Sequence, residues 1–170
     1  VGSNLVHRLI SDNKVTVVDN LLSADLCNLP KSDNLTFMQG SIADDRMLMK
    51  LDKDFDFVFH LATYHGNQSS MADPISDHHN NTLTTLKLCE HFKDQKLKKF
   101  VYSSAGCTVA KKTFDAVDAT DEDAPVSLYL DSPYQISKMI GEFYGNYYFM
   151  IYKLPFVKAR FQNVYGPREI

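Results

Sequence analysis

Short apolar, β-branched runs alternate with helix-patterned segments along this chain, and that alternation leaves few architectures open. Leu5 to Ile10 has helical periodicity and leads into Val15-Thr16-Val17-Val18, a strand-like run closed by Asp19. Leu35-Thr36-Phe37-Met38 reads as a second strand, Asp45 to Leu51 as a helix, and Phe55 to Leu61 as a third strand. After a polar loop, Asn81 to Phe92 carries Leu83, Leu86, Leu88 and Phe92 on a broad apolar face and precedes the strand Phe100-Val101-Tyr102-Ser103-Ser104. Lys111 to Ser132 is polar and punctuated by proline, hence loop, followed by a helix containing Lys138 and a final strand, Phe156 to Arg160. Unbroken apolar strands alternating with helices predict an α/β fold, a mostly parallel sheet covered on both faces. Ligands of such sheets collect beyond the carboxyl ends of the strands, and Asp19, His60, Ser104 and Asn163 all fall at or just beyond a strand's end.

Chemistry is concentrated in Ser132-Pro133-Tyr134-Gln135-Ile136-Ser137-Lys138, where a tyrosine and a lysine stand one helical turn apart. A cation beside a phenol favours phenolate, so a group with a solution pKa of about 10 is expected to exchange protons nearer neutrality. That is acid/base chemistry suited to a sugar or alcohol hydroxyl. The plainer alternative is an ordinary amphipathic pair.

Composition removes other classes. The chain has 170 residues, enough for one domain or part of one, with 44% hydrophobic and 23% charged residues as in soluble globular domains. A net charge of -3 and a pI near 6.0 give no general attraction to nucleic acid or an anionic membrane. No apolar run approaches the roughly 20 residues of a membrane span, and no signal peptide is expected. Cys27, Cys89 and Cys107 are odd in number and widely spaced, which predicts reduced thiols in a cytoplasmic protein. His78-His79 and the other histidines lack metal-site spacing, so no metal is expected. His65 and Gln68 lie in the loop after the third strand, within reach of a substrate or simply as loop polarity.

Asp19 stands at the distance from Gly2 expected of an acidic residue that accepts hydrogen bonds from an adenosine ribose, with a turn-forming aspartate as the alternative. Together these residues resemble a family, the extended short-chain dehydrogenase/reductases, and within it the NAD-dependent nucleotide-sugar epimerases and dehydratases. Val1-Gly2-Ser3-Asn4-Leu5 is similar to the tail of the family's glycine loop, Val18-Asp19-Asn20-Leu21 to its ribose-binding strand end, and Gly40-Ser41-Ile42-Ala43-Asp44 to its adenine-side motif. Phe59-His60-Leu61-Ala62 resembles the cofactor-lining strand, Asp73-Pro74 and Asn81 to Leu86 the helix after it, and Arg160 to Arg168 the substrate-side signature. The resemblance implies a Rossmann-type, doubly wound parallel sheet, residues 1–170 being part of an NAD-binding domain. It also implies truncation at both ends, with the first strand and a C-terminal substrate domain outside the chain. Such a fragment is expected to be inactive by itself and to uncover apolar surface and unpaired backbone groups.

The roles implied by the resemblance follow residue by residue. Tyr134 removes a proton from a sugar hydroxyl as hydride passes to NAD, and Lys138 binds the nicotinamide ribose. Gly2, Asp19 and Asn20 serve the phosphates and adenosine ribose, Ser41 and Ile42 flank adenine, and His60, Leu61 and Ala62 line the nicotinamide side. Asn163 approaches the sugar nucleotide. The aromatic helix after Tyr134 implies a homodimer face. Three departures matter. Ser41 replaces the usual aspartate. Ala105 stands where a catalytic Ser or Thr is expected, so that either neighbouring Ser104 takes over by a small shift of the loop or the site works differently, with Cys107 in that role. Gly106-Cys107 replaces the Asp-Glu pair of the dehydratases, which favours an epimerase working through a transient 4-keto sugar over a dehydratase, dehydrogenase or reductase. Cys107 is similar in position to a thiol acid/base of certain epimerases, with simple packing as the alternative. A non-catalytic NAD-binding sensor or scaffold is the rival from another class.

Overall fold

The computed structural model describes residues 1–64, 66–108, 121, 124–126 and 128–167. His65, Arg168 and most of the loop expected over 111–132 lie outside the described residues. The chain order is α1 (Gly2–Leu9), β1 (Val15–Asp19), β2 (Leu35–Gln39), α2 (Asp45–Lys50), β3 (Phe57–His60), α3 (Asn67–Ala72), α4 (Pro74–Asp77), α5 (Thr84–Phe92), β4 (Lys99–Ala105), α6 (Pro133–Tyr152) and β5 (Phe156–Phe161). A π-helical turn, His78–Leu83, joins α4 to α5 with right-handed helical backbone at both junctions, so Pro74 to Phe92 is one helical run with a π bulge inside it.

Every described strand pairing is parallel. The strands form two sheets, β1-β2 and β3-β4-β5. The edges of β1 and β3 have no described partner, so the doubly wound sheet is open between its two halves. One core nonetheless spans the opening. Leu88, Phe92, Phe100 and Tyr102 form its centre, and Val18 of β1 and Met38 of β2 pack against it. Phe100 and Phe156, neighbours across β4 and β5, stack with ring centroids 5.2 Å apart.

The strands and the α1, α2 and α6 regions fall where periodicity puts them. The segment after β3, expected to be a polar loop, is helical instead as α3 and α4. Asn67-Gln68-Ser69-Ser70-Met71-Ala72 has no apolar stripe to betray a helix, because polar contacts rather than burial of an apolar face hold it. The buried Ser70 hydroxyl accepts from the Tyr134 amide at 3.1 Å, and Asn67 accepts from the Ser132 hydroxyl at 2.9 Å.

Candidate active site

Tyr134 and Lys138 stand in the first turns of α6, whose start is set by Ser132. The Ser132 side chain accepts from the Gln135 amide at 3.3 Å, and Pro133, with no amide hydrogen to satisfy, takes the first helical position. Two glycines then let α6 lie directly on the sheet. A Cβ at Gly141 would stand 2.2 Å from the Tyr102 hydroxyl oxygen, and one at Gly145 would stand 2.1 Å from the Phe156 ring. The close approach presses Lys138 against β4. Its Nζ donates to the Ser103 carbonyl at 2.8 Å and lies 5.5 Å from the Tyr102 ring centroid and 5.6 Å from that of Tyr134. The Tyr102 hydroxyl donates in turn to the Lys138 carbonyl at 3.2 Å.

Burial governs the charges here. Lys138 is 2% exposed, and loss of water pushes its ammonium down to about 8, with Asp77 and Cys107 acting in the opposite sense. Tyr134 is pushed above its ordinary value, first by burial and then by the charges of Cys107 and Asp77. Burial, rather than the Lys138 charge, sets that direction. The half-buried phenol loses hydration, and the two acidic neighbours oppose a further negative charge. Cys107 occupies the 3₁₀ turn Gly106–Thr108 directly after β4. It is half-buried.

Behind the pair runs a polar chain that sequence reasoning missed. Asn81, in the π turn, donates through Nδ2 to Asp77 Oδ1 at 2.7 Å and to Ser137 Oγ at 3.4 Å. Its Oδ1 accepts from the Tyr64 amide at 2.7 Å and the Thr63 hydroxyl at 3.1 Å. Ser137 Oγ donates to the Tyr134 carbonyl at 3.0 Å. Asp77 and Asn81 are 1% and 3% exposed. The signal in the sequence is spacing: Asp77, Asn81 and Thr85 repeat every four residues, one polar line on a helix that also buries Leu88 and Phe92.

A cleft of about 400 Å³ opens beyond the carboxyl ends of β3, β4 and β5, lined by Val1, Leu61, Thr63, Tyr134 and Asn163 among others. Gly2 begins α1 at the edge of this cleft, next to Val1. Asp19 ends β1 and its Oδ1 accepts from the Leu21 amide at 2.8 Å, so it forms a turn as well as standing at the strand end. Asn20 does the same for Leu22 at 3.0 Å, and Ser41 Oγ accepts from the Ala43 amide at 3.1 Å. Ile42 packs on the core, and Ala62 is exposed beyond β3. The His60 ring turns inward, bonded to Thr85 Oγ1 at 3.0 Å, so only its backbone faces the ligand side of the strand end. A larger cleft of about 660 Å³ lies away from this chemistry, where Lys87 pairs with Asp45 and Lys93 with Glu90.

Ser104 contributes to the cleft wall, but its hydroxyl donates to Glu142 Oε1 at 2.5 Å. Glu142, 2% exposed, also accepts from Arg160 through Nε at 2.9 Å and Nη2 at 2.8 Å. The hydroxyl expected to stand in for Ala105 is therefore committed to a buried ion cluster. Among the described residues no group of three or more His, Cys, Asp or Glu is placed to hold a metal, and no helix is long and apolar enough to cross a membrane.

The profile of the NAD dependent epimerase/dehydratase family matches residues 1–170. WbmF of Bordetella bronchiseptica, solved with NAD+, is 54% identical with a TM-score of 0.85, over 99% of this chain and 48% of that one. The UDP-glucose 4-epimerase of Mycolicibacterium smegmatis is 33% identical over 99% of this chain and 54% of its own length. The dTDP-D-glucose 4,6-dehydratase of Dictyostelium discoideum is 30% identical over 99% of this chain and 42% of its own. The chain thus spans about half the length of the relatives it matches. A parallel sheet with a tyrosine and a buried lysine at its carboxyl end, and a family profile matched from first residue to last, lead to one conclusion: this chain belongs to the NAD-dependent epimerase/dehydratase family.

Proposed function

We propose that the full-length protein is an NAD-dependent nucleotide-sugar epimerase working through a transient 4-keto sugar, with residues 1–170 as the cofactor-binding part. The observation that carries this reading is the clamped Lys138 ammonium 5.6 Å from the ring of Tyr134, which itself lines the cleft. The residues fit a dinucleotide. Helix α1 begins at Gly2 with no side-chain cap from Val1, and the amide groups of a helix's first turn suit a phosphate. No described residue bonds Oδ2 of Asp19, which leaves it to accept from ribose hydroxyls. Gly2, Asp19 and Asn20 would hold pyrophosphate and ribose, with Ser41 and Ile42 beside adenine. The His60 backbone, Leu61, Ala62, Tyr134 and Lys138 would hold the nicotinamide end.

When bound, NAD supplies the acceptor for hydride from the sugar carbon and returns it within the cycle. Tyr134 takes the proton of the sugar hydroxyl, and Lys138 orients the ribose and supplies positive charge. Asn163 contacts the sugar nucleotide from the opposite wall of the cleft. Cys107, whose charge reaches both Tyr134 and Lys138, is the group available to exchange a proton beside the transient ketone. Ser104 can act on substrate only by leaving Glu142. A uridine-linked sugar is the first candidate substrate, since WbmF was also solved with NAD+ and UDP. A homodimer is proposed from the exposed apolar face of α6, where Phe143, Tyr147, Met150 and Ile151 are 54%, 49%, 66% and 59% exposed.

The full-length protein incubated with UDP-, GDP-, CDP- and dTDP-sugars, with products read by NMR, is expected to return an isomer of one input with no net NADH. Tyr134→Phe should lower that turnover by on the order of 10²- to 10⁴-fold, and sedimentation velocity should show a dimer. Net NADH change would replace the epimerase with a dehydrogenase. Tight NAD binding without turnover on any sugar would favour a sensor.

A further inference from the structure

Asp77 is a carboxylate placed where a globular protein rarely puts one, 1% exposed and facing α6 through Asn81. Its partners form a continuous path to the reacting pair. Asn81 Nδ2 donates to Asp77 Oδ1 and reaches Ser137 Oγ, while the Ser137 hydroxyl donates to the Tyr134 carbonyl. Burial pushes the Asp77 carboxyl up, and Ser137, Asn81 and the Lys138 charge act against that in favour of the carboxylate. Asn81 Oδ1 meanwhile holds Thr63 and the Tyr64 amide, the segment leaving β3 along the cleft. The π bulge is what serves this meeting, since helix, β3 loop and α6 all converge on the Asn81 side chain.

We propose that Asp77 is a positioning residue for the Tyr134–Lys138 pair, a buried carboxylate that through Asn81 and Ser137 ties the first turn of α6 to the β3 loop and favours the ammonium form of Lys138. The inference rests on the reading of Tyr134 and Lys138 as the reacting pair. An ammonium with almost no access to water needs a nearby anion to remain charged. The titratable groups around it come from several elements: Tyr134 and Glu142 from α6 itself, Tyr102 from β4, Cys107 from the turn after β4, His60 from β3, and Asp77 with His78 from the helix across. Of the groups that favour the charged lysine, Asp77 is the larger influence and Cys107 the smaller. Asp77 therefore sets two properties at once: the charge beside the phenol and the position of the phenol's own backbone.

The test uses the full-length protein labelled with nitrogen-15 lysine, reading the pH midpoint of the Lys138 Nζ resonance, assigned by its loss in Lys138→Met. In Asp77→Asn, which keeps an acceptor for Asn81, the midpoint is expected to fall by about one pH unit. Asp77→Glu, which restores the charge, should return it toward the starting value. The basic limb of turnover should move to lower pH in parallel. An unchanged midpoint in Asp77→Asn overturns the proposal, as does an equal shift in the Asn and Glu variants, which would mean packing rather than charge. If Asp77→Asn fails to fold, Asp77→Ser, leaving a hydroxyl to accept from Asn81, reads the same midpoint. Because the titration needs no sugar, its failure is separable from failure of the epimerase reading, which would show as silence across the sugar panel with the midpoint shift intact.

Discussion

Glu142 illustrates how far one buried residue can redirect its neighbours. Its carboxylate is almost completely removed from water, and burial alone would push it toward the neutral form. Arg160 and Ser104 reverse that with hydrogen bonds, helped by the charges of Arg160 and Lys158, and hold it below the usual glutamate value. Ser104 and Arg160 are register partners across β4 and β5, so the cluster locks the two strands beneath the cleft. Removing the guanidinium leaves a buried charge that, among the described residues, keeps the Ser104 hydroxyl and the more distant Lys158, at 3.9 Å. Arg160→Met is therefore expected to cost about 3 kcal/mol in urea unfolding, while the double change with Glu142→Gln should cost less, because no unpaired charge remains. Tyr134, Lys138 and Cys107 were legible in the sequence as residue types at meaningful positions. Asp77, Asn81 and Glu142 were not, because a carboxylate or amide on a helix reads as a solvated face until its neighbours are known.

Helix α6 is the element on which the site depends, and its glycines are the reason it can. Glycine in a helix interior costs roughly 1 kcal/mol relative to alanine, so helix propensity alone favours Gly145→Ala. The sheet reverses the sign. A methyl there would meet the Phe156 ring at 2.1 Å, and the ring is held by stacking on Phe100. Gly145→Ala is expected to destabilise the protein by about 1 to 3 kcal/mol in chemical denaturation, with α6 displaced from β4 and β5. A neutral or stabilising result would mean that the helix does not rest on the sheet as described. Helices α3 and α4 teach the converse lesson. Their residues carry no apolar period; Ser70 and Asn67 tie α3 to the start of α6, and Asp73 caps α4 by accepting from the Ser76 amide at 3.0 Å. Local pattern cannot show an element whose stabilising contacts are polar and more than 60 residues away in the chain.

At the level of the whole molecule, two half-sheets share one core, and that core holds a neutral histidine. His60 is 6% exposed, and burial first, then the Lys138 charge, depress it to about 3. The Thr85 hydroxyl donates to the Asn81 carbonyl, which leaves its oxygen to accept from His60 Nε2. In the unfolded chain the same imidazole takes up a proton near its ordinary value of 6.5. Between those values the unfolded state binds the extra proton, so stability rises with pH and is lost as pH falls from about 6.5 toward 3, by up to roughly 1.4 kcal/mol per pH unit. Thermal midpoints of the full-length protein should fall across that window, and the part due to His60 should vanish in His60→Gln.

The order of strands and helices, the parallel sheet and the strand-end placement of Asp19 and Asn163 followed from periodicity, since apolar spacing is a local property that one chain carries wherever it folds. The division into two half-sheets, the commitment of Ser104 to Glu142, the raised Tyr134 and the Asp77–Asn81–Ser137 path came only from tertiary structure. Each depends on which groups meet after burial and on how much water they lose, and those quantities exist only once distant segments have packed together.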